Sequence, residues 1–293
     1  MKYIGLVGVG FVGSALLHGM KHAFHVHCYD KKYAGYTYDP PYFFEKDMDA
    51  LVKRIDGPVF VCVPTPMNKD GSCSTAIVEE VVQQLDNAAQ MVHNGERKLV
   101  IVVKSTVPPG TCEALNQKCK YSYVCFNPEF LVEKTAMEDF KNQDRIIIGG
   151  PREATDVLKL LYEISYPRVP VTKTSSTIAE MVKYMTNVFL ATKVSLANEF
   201  KQISDALGID YDKVVEYATK DKRLGTSHWA VPGPDGKRGF SGSCFPKDIN
   251  ALIVKATELS VNPIVIKAVW QKNLEVRPER DWELLKGRAI VNE

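Results

Sequence analysis

Short apolar runs alternate with stretches of helical periodicity through the first 172 residues. The apolar runs have the length of strands, and the stretches between them repeat apolar residues every three or four positions. The strands are predicted at Tyr3–Val7, Phe24–Tyr29, Val59–Val63, Lys98–Val103, Tyr123–Phe126, Arg145–Ile148 and Val169–Val171. Because strands that alternate with helices form parallel sheets, this part is predicted to be an α/β domain with a doubly wound parallel sheet.

The alternation stops after Val171, and the pattern becomes helical. Apolar residues at helical spacing run from Ile178 to Leu207, which at 1.5 Å per residue is a rod of about 45 Å. Thr177 and Glu180 have the spacing of a capping box, and Gly208 fits the C-cap. A helix of this length is longer than one small hydrophobic core can cover. It is therefore predicted to bridge domains or subunits, and we expect a homodimer.

Shorter helices are predicted after the rod, at Asp210–Ala218, Asp248–Leu259 and Val265–Leu274. A long loop rich in Gly and Pro, Thr226–Ser243, lies between the first two, and loops of this length within a domain are often functional. The chain is therefore divided into a sheet domain (residues 1–172), an all-α dimerisation and substrate domain (173–282) and a tail (283–293).

Composition excludes several classes of function. The 293 residues are 45% hydrophobic and 25% charged, with a formal net charge of +2, which provides no electrostatic case for binding nucleic acid. No apolar run approaches the ~20 residues of a membrane span, and the strand at the N-terminus lacks the pattern of a secretory signal. We therefore expect no membrane association.

The seven cysteines indicate a reducing compartment. Their number is odd and no pair has close zinc-finger spacing, so we expect no metal site and a cytoplasmic location. Cys28, Cys62 and Cys125 lie inside apolar runs, where a cysteine serves as a small buried hydrophobe.

A glycine motif follows the first strand directly. Gly8, Gly10 and Gly13 stand between that strand and a helical pattern, and Asp30 ends the second strand. In a Rossmann-type domain the first glycine permits a tight turn, the second lets the backbone approach a pyrophosphate, and the third lets helix pack on strand. The acid binds the ribose and would repel a 2′-phosphate, so the order of these parts predicts NAD as the cofactor.

Polar residues cluster where three of the predicted strands end. They are Thr65, the pair Ser105 and Thr106, and Asn127 with Glu129. Taken singly, each of these residues is of a type that is common in turns. Because ligands in doubly wound sheets bind beyond the carboxyl ends of strands, three such ends in succession favour a site.

Cys244 lies in a glycine-rich segment four residues before Asp248, where a helix is predicted to start. A helix N-terminus can activate an accessible thiol as a nucleophile. On the long helix, Lys183 and Asn187 are spaced i, i+4 and can stabilise an oxygen that gains negative charge. On spacing alone, exposure to solvent is the simpler interpretation of those two donors.

Together these segments resemble the UDP-glucose/GDP-mannose dehydrogenase family, the nucleotide-sugar dehydrogenases. The resemblance is carried by Gly8–Gly13, Val63–Pro66, Ser105–Thr111, Asn127–Leu131, Glu180–Tyr184 with Asn187, Arg223–Gly225 and Cys244–Asp248. These stretches span nearly the whole chain in the family's order, and the set is highly specific.

The resemblance implies oxidation of the C6 alcohol of UDP-glucose to a carboxylate with two NAD per turnover. Cys244 would hold the carbon as a thiohemiacetal and then as a thioester, which water hydrolyses. Lys183 and Asn187 would stabilise the anionic oxygen. Asp248, with Thr106 and Glu129 beside it, would position water or assist proton transfer. These six residues are the predicted catalytic set.

The resemblance also implies binding residues. The cofactor set is Gly8, Gly10, Phe11, Val12, Gly13, Asp30, Thr65, Ser105, Thr106, Glu133 and Lys247. The substrate set is Glu129, Phe130, Leu131, Lys183, Asn187, Arg223, Phe240 and Gly242. Arg223 matches a family arginine that reaches the substrate from the neighbouring subunit, which agrees with the predicted dimer.

The chain departs from the family pattern in two places. Ser241 stands where the family loop has a glycine, and serine tolerates positive φ poorly, so a different local turn is expected. Family members usually have a third, nucleotide-holding domain, and here Leu285–Val291 is predicted to be its opening strand before the chain stops at Glu293. A short form lacking that domain is expected.

Other functions stay open at this stage. The same chemistry on GDP-mannose or a UDP-N-acetylhexosamine is an alternative to UDP-glucose, because the shape of the loops sets the choice of sugar. A two-electron hydroxy-acid dehydrogenase would not need Cys244, and a non-catalytic NAD-binding remnant would only dimerise.

Overall fold

A single mostly parallel sheet organises the first part of the chain. The computed structural model describes residues 1–32 and 42–292; Glu293, the last residue of the predicted tail, lies outside them. The strands are β1 (Tyr3–Val7), β2 (His25–Tyr29), β3 (Tyr42–Phe44), β4 (Val59–Val61), β5 (Leu99–Val103), β6 (Ser122–Phe126), β7 (Ile146–Gly149) and β8 (Val171–Thr174). Their spatial order is β3-β2-β1-β4-β5-β6-β7-β8.

Strand order reverses at β1, which pairs in parallel with β2 on one side and with β4 on the other. The first six strands follow the order 3-2-1-4-5-6 of a dinucleotide-binding sheet, so the predicted doubly wound fold is confirmed. One pair departs from it. Phe126 of β6 and Gly149 of β7 are joined in an antiparallel bridge, whereas the other strand pairs are parallel.

Six helices cover the two faces of the sheet in the described residues. They are α1 (Phe11–Met20), α2 (Met48–Arg54), α3 (Ala76–His93), α4 (Thr111–Lys118), α5 (Ala136–Lys141) and α6 (Arg152–Ser165). Apolar residues of α2, α3 and α4 share one core cluster with Ile101 and Val103, whereas those of α1, α5 and α6 share another with Val100 and Val102. Successive residues of β5 therefore face opposite cores, as the period of a strand requires. The sequence patterns did not indicate β3 or α2.

Helices form the second part of the chain. They are α7 (Ser176–Leu207), α8 (Tyr211–Ala218), α9 (Phe245–Glu258) and α10 (Ile264–Val276). Their core joins Tyr184 and Val188 of α7 to Ile249 and Leu252 of α9 and Val269 of α10. The long helix and its C-cap are confirmed, with Gly208 at φ +69°.

The predicted capping box at the start of α7 is wrong. Ser175 Oγ accepts the Ile178 N–H at 3.3 Å, and the Thr177 hydroxyl donates to Glu113 instead. Glu180 is fully buried and accepts the backbone N–H groups of Gly110 and Cys112 at the start of α4. Ser175 therefore provides the local cap in place of Thr177, and Glu180 makes a tertiary contact instead of completing a capping box.

Internal contacts divide the chain into two compact units. Residues 1–65 and 75–183 form the first, the sheet unit, and residues 66–74 with the chain from residue 184 onward form the second, the helical unit. The sequence-based boundary at residue 172 therefore differs from this division, which falls inside α7. Residues 66–74 group with the helical unit because Met67 hydrogen-bonds with Ala289 and Val291.

The predicted strand at Leu285–Val291 is not formed. A short 3-10 helix, Asp281–Leu284, precedes a turn in which Ile290 makes isolated bridges to Met67 and Lys286. Gly287 has φ +73° in this turn, which bends the chain where a strand would stay extended.

The long helix α7 carries a row of exposed apolar side chains that is interrupted between Phe189 and Leu196. The row consists of Ile178, Met181, Met185, Phe189, Leu196, Phe200, Ile203 and Leu207, each at least 42% exposed. No helix within residues 1–32 and 42–292 is both long and apolar enough to span a membrane.

Candidate functional site

The turn after β1 has the geometry that a dinucleotide needs. Gly8 has φ +89°, and a Cβ there would lie 2.5 Å from the carbonyl oxygen of Cys62. A Cβ on Gly13 would lie 2.0 Å from the carbonyl oxygen of Gly8, whereas one on Gly10 would meet no protein atom within 4 Å. Gly8 and Gly13 are thus required because any larger side chain would clash with the protein's own backbone. Gly10 leaves open space, where the pyrophosphate of a dinucleotide approaches the backbone.

The N-terminus of α1 offers donors for phosphate. The first hydrogen bond of the helix runs from Ser14 N–H to the Gly10 carbonyl, so the N–H groups of Phe11, Val12 and Gly13 precede it. The first turn holds no acidic residue, which leaves the positive end of the helix dipole for an anion.

Asp30 lies at the end of β2, beside this turn. One carboxylate oxygen accepts the Val9 N–H at 2.7 Å, and the other accepts the Lys32 N–H at 2.8 Å. The carboxylate therefore braces the glycine turn as well as occupying the predicted ribose position. These residues together fit a bound NAD.

Side chains at the ends of β4 and β5 lie at the same edge of the sheet. Ser105 Oγ accepts the Val63 N–H at 2.9 Å and donates to the Val63 carbonyl at 2.7 Å, which ties the two strand ends together. Thr65 is buried and Thr106 is half-buried. The structure thus places these three predicted residues just beyond the carboxyl ends of β4 and β5.

Glu129 and Lys183 form a buried ion pair inside the sheet unit. Lys183 Nζ donates to Glu129 Oε1 at 2.8 Å and to the Glu129 carbonyl at 2.6 Å. The Leu131 N–H donates to the other carboxylate oxygen at 2.7 Å. Burial alone would raise the pKa of Glu129, but Lys183 and these hydrogen bonds outweigh it and hold the pKa below its usual value. Lys183 therefore does not face solvent, in contrast to the simpler interpretation of its spacing.

A second buried lysine supports the segment that carries Glu129, and sequence reasoning missed it. Lys104 Nζ donates to Asn127 Oδ1 at 2.9 Å, and the Tyr162 hydroxyl donates to the same oxygen at 2.5 Å. Burial lowers the pKa of Lys104 to about 8. The only signal in the sequence was a lysine directly after the apolar run of β5.

A cavity of about 290 Å³ opens beside these residues within the sheet unit. Glu129, Phe130 and Leu131 line one part of it, and Lys104 and Arg145 line another. The Arg145 guanidinium lies 4.4 Å from the centre of the Phe130 ring. Glu133 is exposed at the start of a short 3-10 helix, Glu133–Thr135.

Cys244 occupies the N-cap of α9, because that helix begins at Phe245, three residues earlier than predicted. Its side chain is half-buried. Burial raises the pKa of Cys28, Cys62 and Cys119 to about 12 and raises that of Cys112 and Cys125 as well. These five thiols stay protonated near neutral pH, whereas Cys244 combines access with a helix N-terminus.

Asp248 is the centre of a buried polar cluster in the helical unit. Lys247 Nζ donates to Asp248 Oδ1 at 2.5 Å, and Asn187 Nδ2 donates to Asp248 Oδ2 at 2.6 Å. Burial lowers the pKa of Lys247, but the Asp248 carboxylate, with smaller contributions from the sulfurs of Cys73 and Cys244 when ionised, outweighs burial and raises it, so Lys247 stays cationic. Lys247 thus places a positive charge close to Cys244.

The segment before Cys244 has positive φ at Gly239 (+69°) and Gly242 (+78°). Ser241 is not among the residues with positive φ, so serine in the glycine place produces no backbone strain. Its hydroxyl donates to Asp281 at 2.5 Å. Phe240 is buried in the core cluster of the helical unit.

Arg223 lies on the surface of the helical unit. Its side chain is 89% exposed and pairs with Asp221 at 2.5 Å. Within the described residues, no group of three or more His, Cys, Asp or Glu side chains is placed to hold a metal ion.

The glycine turn, the strand order and the braced Asp30 define an NAD-binding domain of the dehydrogenase type. Comparison with known proteins identifies the family. The NAD-binding domain of the UDP-glucose/GDP-mannose dehydrogenase family matches residues 36–166, and the central domain of the same family matches residues 177–275. The chain belongs to this family, and its cofactor is NAD.

Two curated relatives illustrate the range of the family. The chain is 36% identical over 247 residues to a UDP-glucose 6-dehydrogenase of Pseudomonas aeruginosa, covering 78% of this chain and 52% of that protein. It is 33% identical over 239 residues to a GDP-mannose 6-dehydrogenase of Pseudomonas putida, with the same two coverages. The chain thus spans about half the length of the curated relatives it matches.

A solved structure agrees with the fold. The UDP-glucose dehydrogenase of Pyrobaculum islandicum is 31% identical and superposes with a TM-score of 0.84, over 94% of this chain and 68% of that one.

Proposed function

We propose that this chain oxidises the C6 alcohol of a nucleotide sugar to a carboxylate in two NAD-dependent steps, with Cys244 as the covalent nucleophile. The observation that carries the proposal is the accessible thiol at the N-cap of α9 beside the buried cation Lys247. A helix N-terminus and a neighbouring ammonium both stabilise a thiolate.

Each oxidation removes a hydride from C6 and a proton from the oxygen bonded to it. The glycine turn and Asp30 of the sheet unit would hold NAD, which would supply the hydride acceptor. The alcohol first becomes an aldehyde, and the Cys244 thiolate then adds to the aldehyde carbon to form a thiohemiacetal. Loss of a second hydride converts the adduct to a thioester, and water displaces the thiol to release the carboxylate. The covalent bond keeps the aldehyde from escaping between the two oxidations.

The buried polar groups support distinct parts of this sequence. Lys183 is the donor proposed to stabilise an anionic oxygen, since Glu129 keeps its ammonium oriented at 2.8 Å. Asn187 is the second proposed donor and is oriented by Asp248 at 2.6 Å. Asp248, Glu129 and Thr106 are the groups proposed to position water or move the proton.

UDP-glucose is the substrate we propose. It is the sugar nucleotide after which the Pseudomonas aeruginosa relative and the Pyrobaculum islandicum enzyme are named. GDP-mannose is the second candidate, because a GDP-mannose 6-dehydrogenase matches with nearly equal identity. The proposal places the chain in the cytoplasm, since all seven cysteines are thiols.

A homodimer is part of the proposal. The exposed apolar row on α7 extends from Ile178 to Leu207, and exposed apolar surface of this extent marks an interface. A second copy of the chain is proposed to cover it and to contribute its own Arg223 to the substrate.

Counting reduced cofactor tests the reaction. Purified protein is mixed with limiting UDP-glucose and excess NAD, and NADH is measured by absorbance against sugar consumed. Two NADH per sugar supports the proposal. One NADH per sugar would indicate a two-electron alcohol dehydrogenase, and no turnover with UDP-glucose, GDP-mannose or a UDP-N-acetylhexosamine, despite NAD binding, would leave a non-catalytic protein.

Replacing the nucleophile tests the mechanism. Cys244→Ser should abolish formation of the carboxylate while NAD binding survives, because a hydroxyl is a far weaker nucleophile than a thiolate near neutral pH. Cys119→Ser serves as the matched control, since Cys119 is a buried thiol whose pKa burial raises to about 12. Full production of the carboxylate by Cys244→Ser would refute the covalent step.

A further inference from the structure

The loop that leads to Cys244 is held by three side chains at regular spacing. Asn273 and Arg277 lie at the end of α10, and Asp281 begins the next short helix, so successive members are four residues apart. Each contacts the segment Arg238–Ser241. We call Asn273, Arg277 and Asp281 the clamp.

Asn273 holds both backbone polar groups of one residue, Phe240. Its Oδ1 accepts the Phe240 N–H at 2.7 Å, and its Nδ2 donates to the Phe240 carbonyl at 3.0 Å. The side chain is fully buried. A Cβ on the preceding Gly239 would lie 2.5 Å from Asn273 Oδ1, so glycine is required there by the close approach of the clamp as well as by its positive φ.

Arg277 is the centre of the clamp. Its guanidinium is 2% exposed and donates to the Arg238 carbonyl at 3.2 Å, to Asp235 at 2.6 Å and to Asp281 at 2.6 Å. A buried arginine with acceptors on three sides has one allowed orientation, because its donors form a rigid planar fork. Arg277 therefore fixes the start of the segment relative to Asp281.

Asp281 completes the clamp through Ser241. The Ser241 hydroxyl donates to Asp281 Oδ1 at 2.5 Å. Hydrogen bonds from Arg277 hold the pKa of Asp281 far below its usual value, so it accepts as a carboxylate. This contact depends on the serine that stands in the family's glycine place, and a glycine could not make it.

Ring packing connects the clamped segment to the nucleophile. The rings of Phe240 and Phe245 meet edge to face with centroids 5.9 Å apart. Phe245 is the first residue of α9 and follows Cys244 directly. A shift of the segment is therefore passed on to the N-terminus of the helix that carries the thiol.

We propose that Asn273, Arg277, Asp281 and Ser241 are positioning residues that hold Cys244 in its reactive place at the N-terminus of α9. The inference rests on the proposed role of Cys244. None of the four residues needs to touch substrate, because they act through the backbone of the loop. Misplacing a catalytic group slightly is enough to slow a reaction strongly.

The test compares two identical substitutions on the full-length chain. Ser241→Ala removes the hydroxyl that binds Asp281. Ser195→Ala is the matched control, because the Ser195 hydroxyl donates to the Val269 carbonyl of the same helix α10 at 3.0 Å without contacting the loop. Ser241→Thr retains a hydroxyl and is the conservative rescue.

Two readouts are taken for each variant. The first is kcat with the nucleotide sugar, together with the dissociation constant for NAD. The second is the rate at which iodoacetamide alkylates Cys244 near neutral pH, read from its own peptide by mass spectrometry, with Cys119 as the internal reference. Alkylation needs no substrate, so it remains informative if the proposed oxidation fails.

Loss of one hydrogen bond to a charged acceptor is expected to lower kcat and Cys244 alkylation by about tenfold in Ser241→Ala. NAD affinity should stay unchanged, Ser195→Ala should match the parent protein, and Ser241→Thr should recover most of both rates. An unchanged or faster alkylation of Cys244 in Ser241→Ala would overturn the positioning role, whatever the outcome for turnover. Equal losses in Ser195→Ala would also overturn it, since a general loss of packing would then explain both variants.

Discussion

Replacing Gly10 with alanine separates the binding role of the glycine turn from its structural role. Gly10 has φ −75°, which alanine adopts without strain. A Cβ there would meet no protein atom within 4 Å. The new methyl group therefore occupies only the space through which a pyrophosphate would approach the helix.

The geometry gives the size of both effects. Folding stability should change by less than about 1 kcal/mol, the scale of a glycine-to-alanine change at a helix N-cap. Displacing the diphosphate would break one or two hydrogen bonds from the first N–H groups of α1, worth about 1.5–3 kcal/mol each when the acceptor is charged. NAD affinity should therefore fall by about tenfold or more, and by about ten-thousandfold if both bonds are lost at the upper value.

The assay is calorimetric titration with NAD, paired with thermal melting of the unliganded protein. Gly13→Ala is the contrasting variant, because its Cβ would lie 2.0 Å from the Gly8 carbonyl oxygen, and it should melt at a clearly lower temperature. If Gly10→Ala binds NAD as tightly as the parent protein, the pyrophosphate does not lie over this turn and the reasoning fails.

Two further predictions concern the buried ion pair and the assembly. Lys183→Met should destabilise the protein by about 3–5 kcal/mol near neutral pH, because it leaves the Glu129 carboxylate buried without its cation. The ion pair lowers the pKa of Glu129 in the folded protein. The pair therefore stabilises the fold fully at pH values above the pKa of Glu129 in the unfolded chain, and this stabilisation is lost as the pH falls through the lower pKa of the folded state. The difference in the free energy of unfolding between the parent protein and Lys183→Met, measured with urea, should therefore shrink on acidification. The double variant Lys183→Met/Glu129→Gln should recover much of the lost stability. A difference that does not depend on pH would contradict the pairing. Phe189→Glu, at a side chain 62% exposed in the apolar row of α7, should convert a dimer to a monomer in sedimentation, whereas Met91→Glu on α3, 77% exposed, should not; a dimer that survives Phe189→Glu would place the interface elsewhere.

Local patterns were sufficient for the parts of this protein that depend on neighbouring residues. The strand, glycine turn and helix at residues 3–20 could be predicted because the tight turn and the close helix packing are short-range requirements on Gly8 and Gly13. The periodicity of α7 and the C-cap at Gly208 are local for the same reason. Cys244 was distinguished by the glycines before it and the helix after it.

Contacts between distant residues were beyond such patterns. The spacing of Lys183 and Asn187 placed both on one face of a helix, but it did not indicate their partners. Lys183 pairs with Glu129, 54 residues away, and Asn187 pairs with Asp248, 61 residues away. Glu180 was assigned to a local cap, yet it binds N–H groups of α4. Burial makes an unpaired polar group costly, so the partner is chosen by the tertiary fold.

The sequence by itself determined the class of sheet and the NAD-binding turn, and it singled out Cys244 as the candidate nucleophile, since each follows from residues close together in the chain. The tertiary structure alone decided which carboxylate orients each donor, how Lys104 supports Asn127, and that Asn273, Arg277 and Asp281 hold the loop before Cys244. It also decided that Ser241 replaces a glycine without strain, because the conformation of one residue depends on the hydrogen bonds that the folded chain offers it.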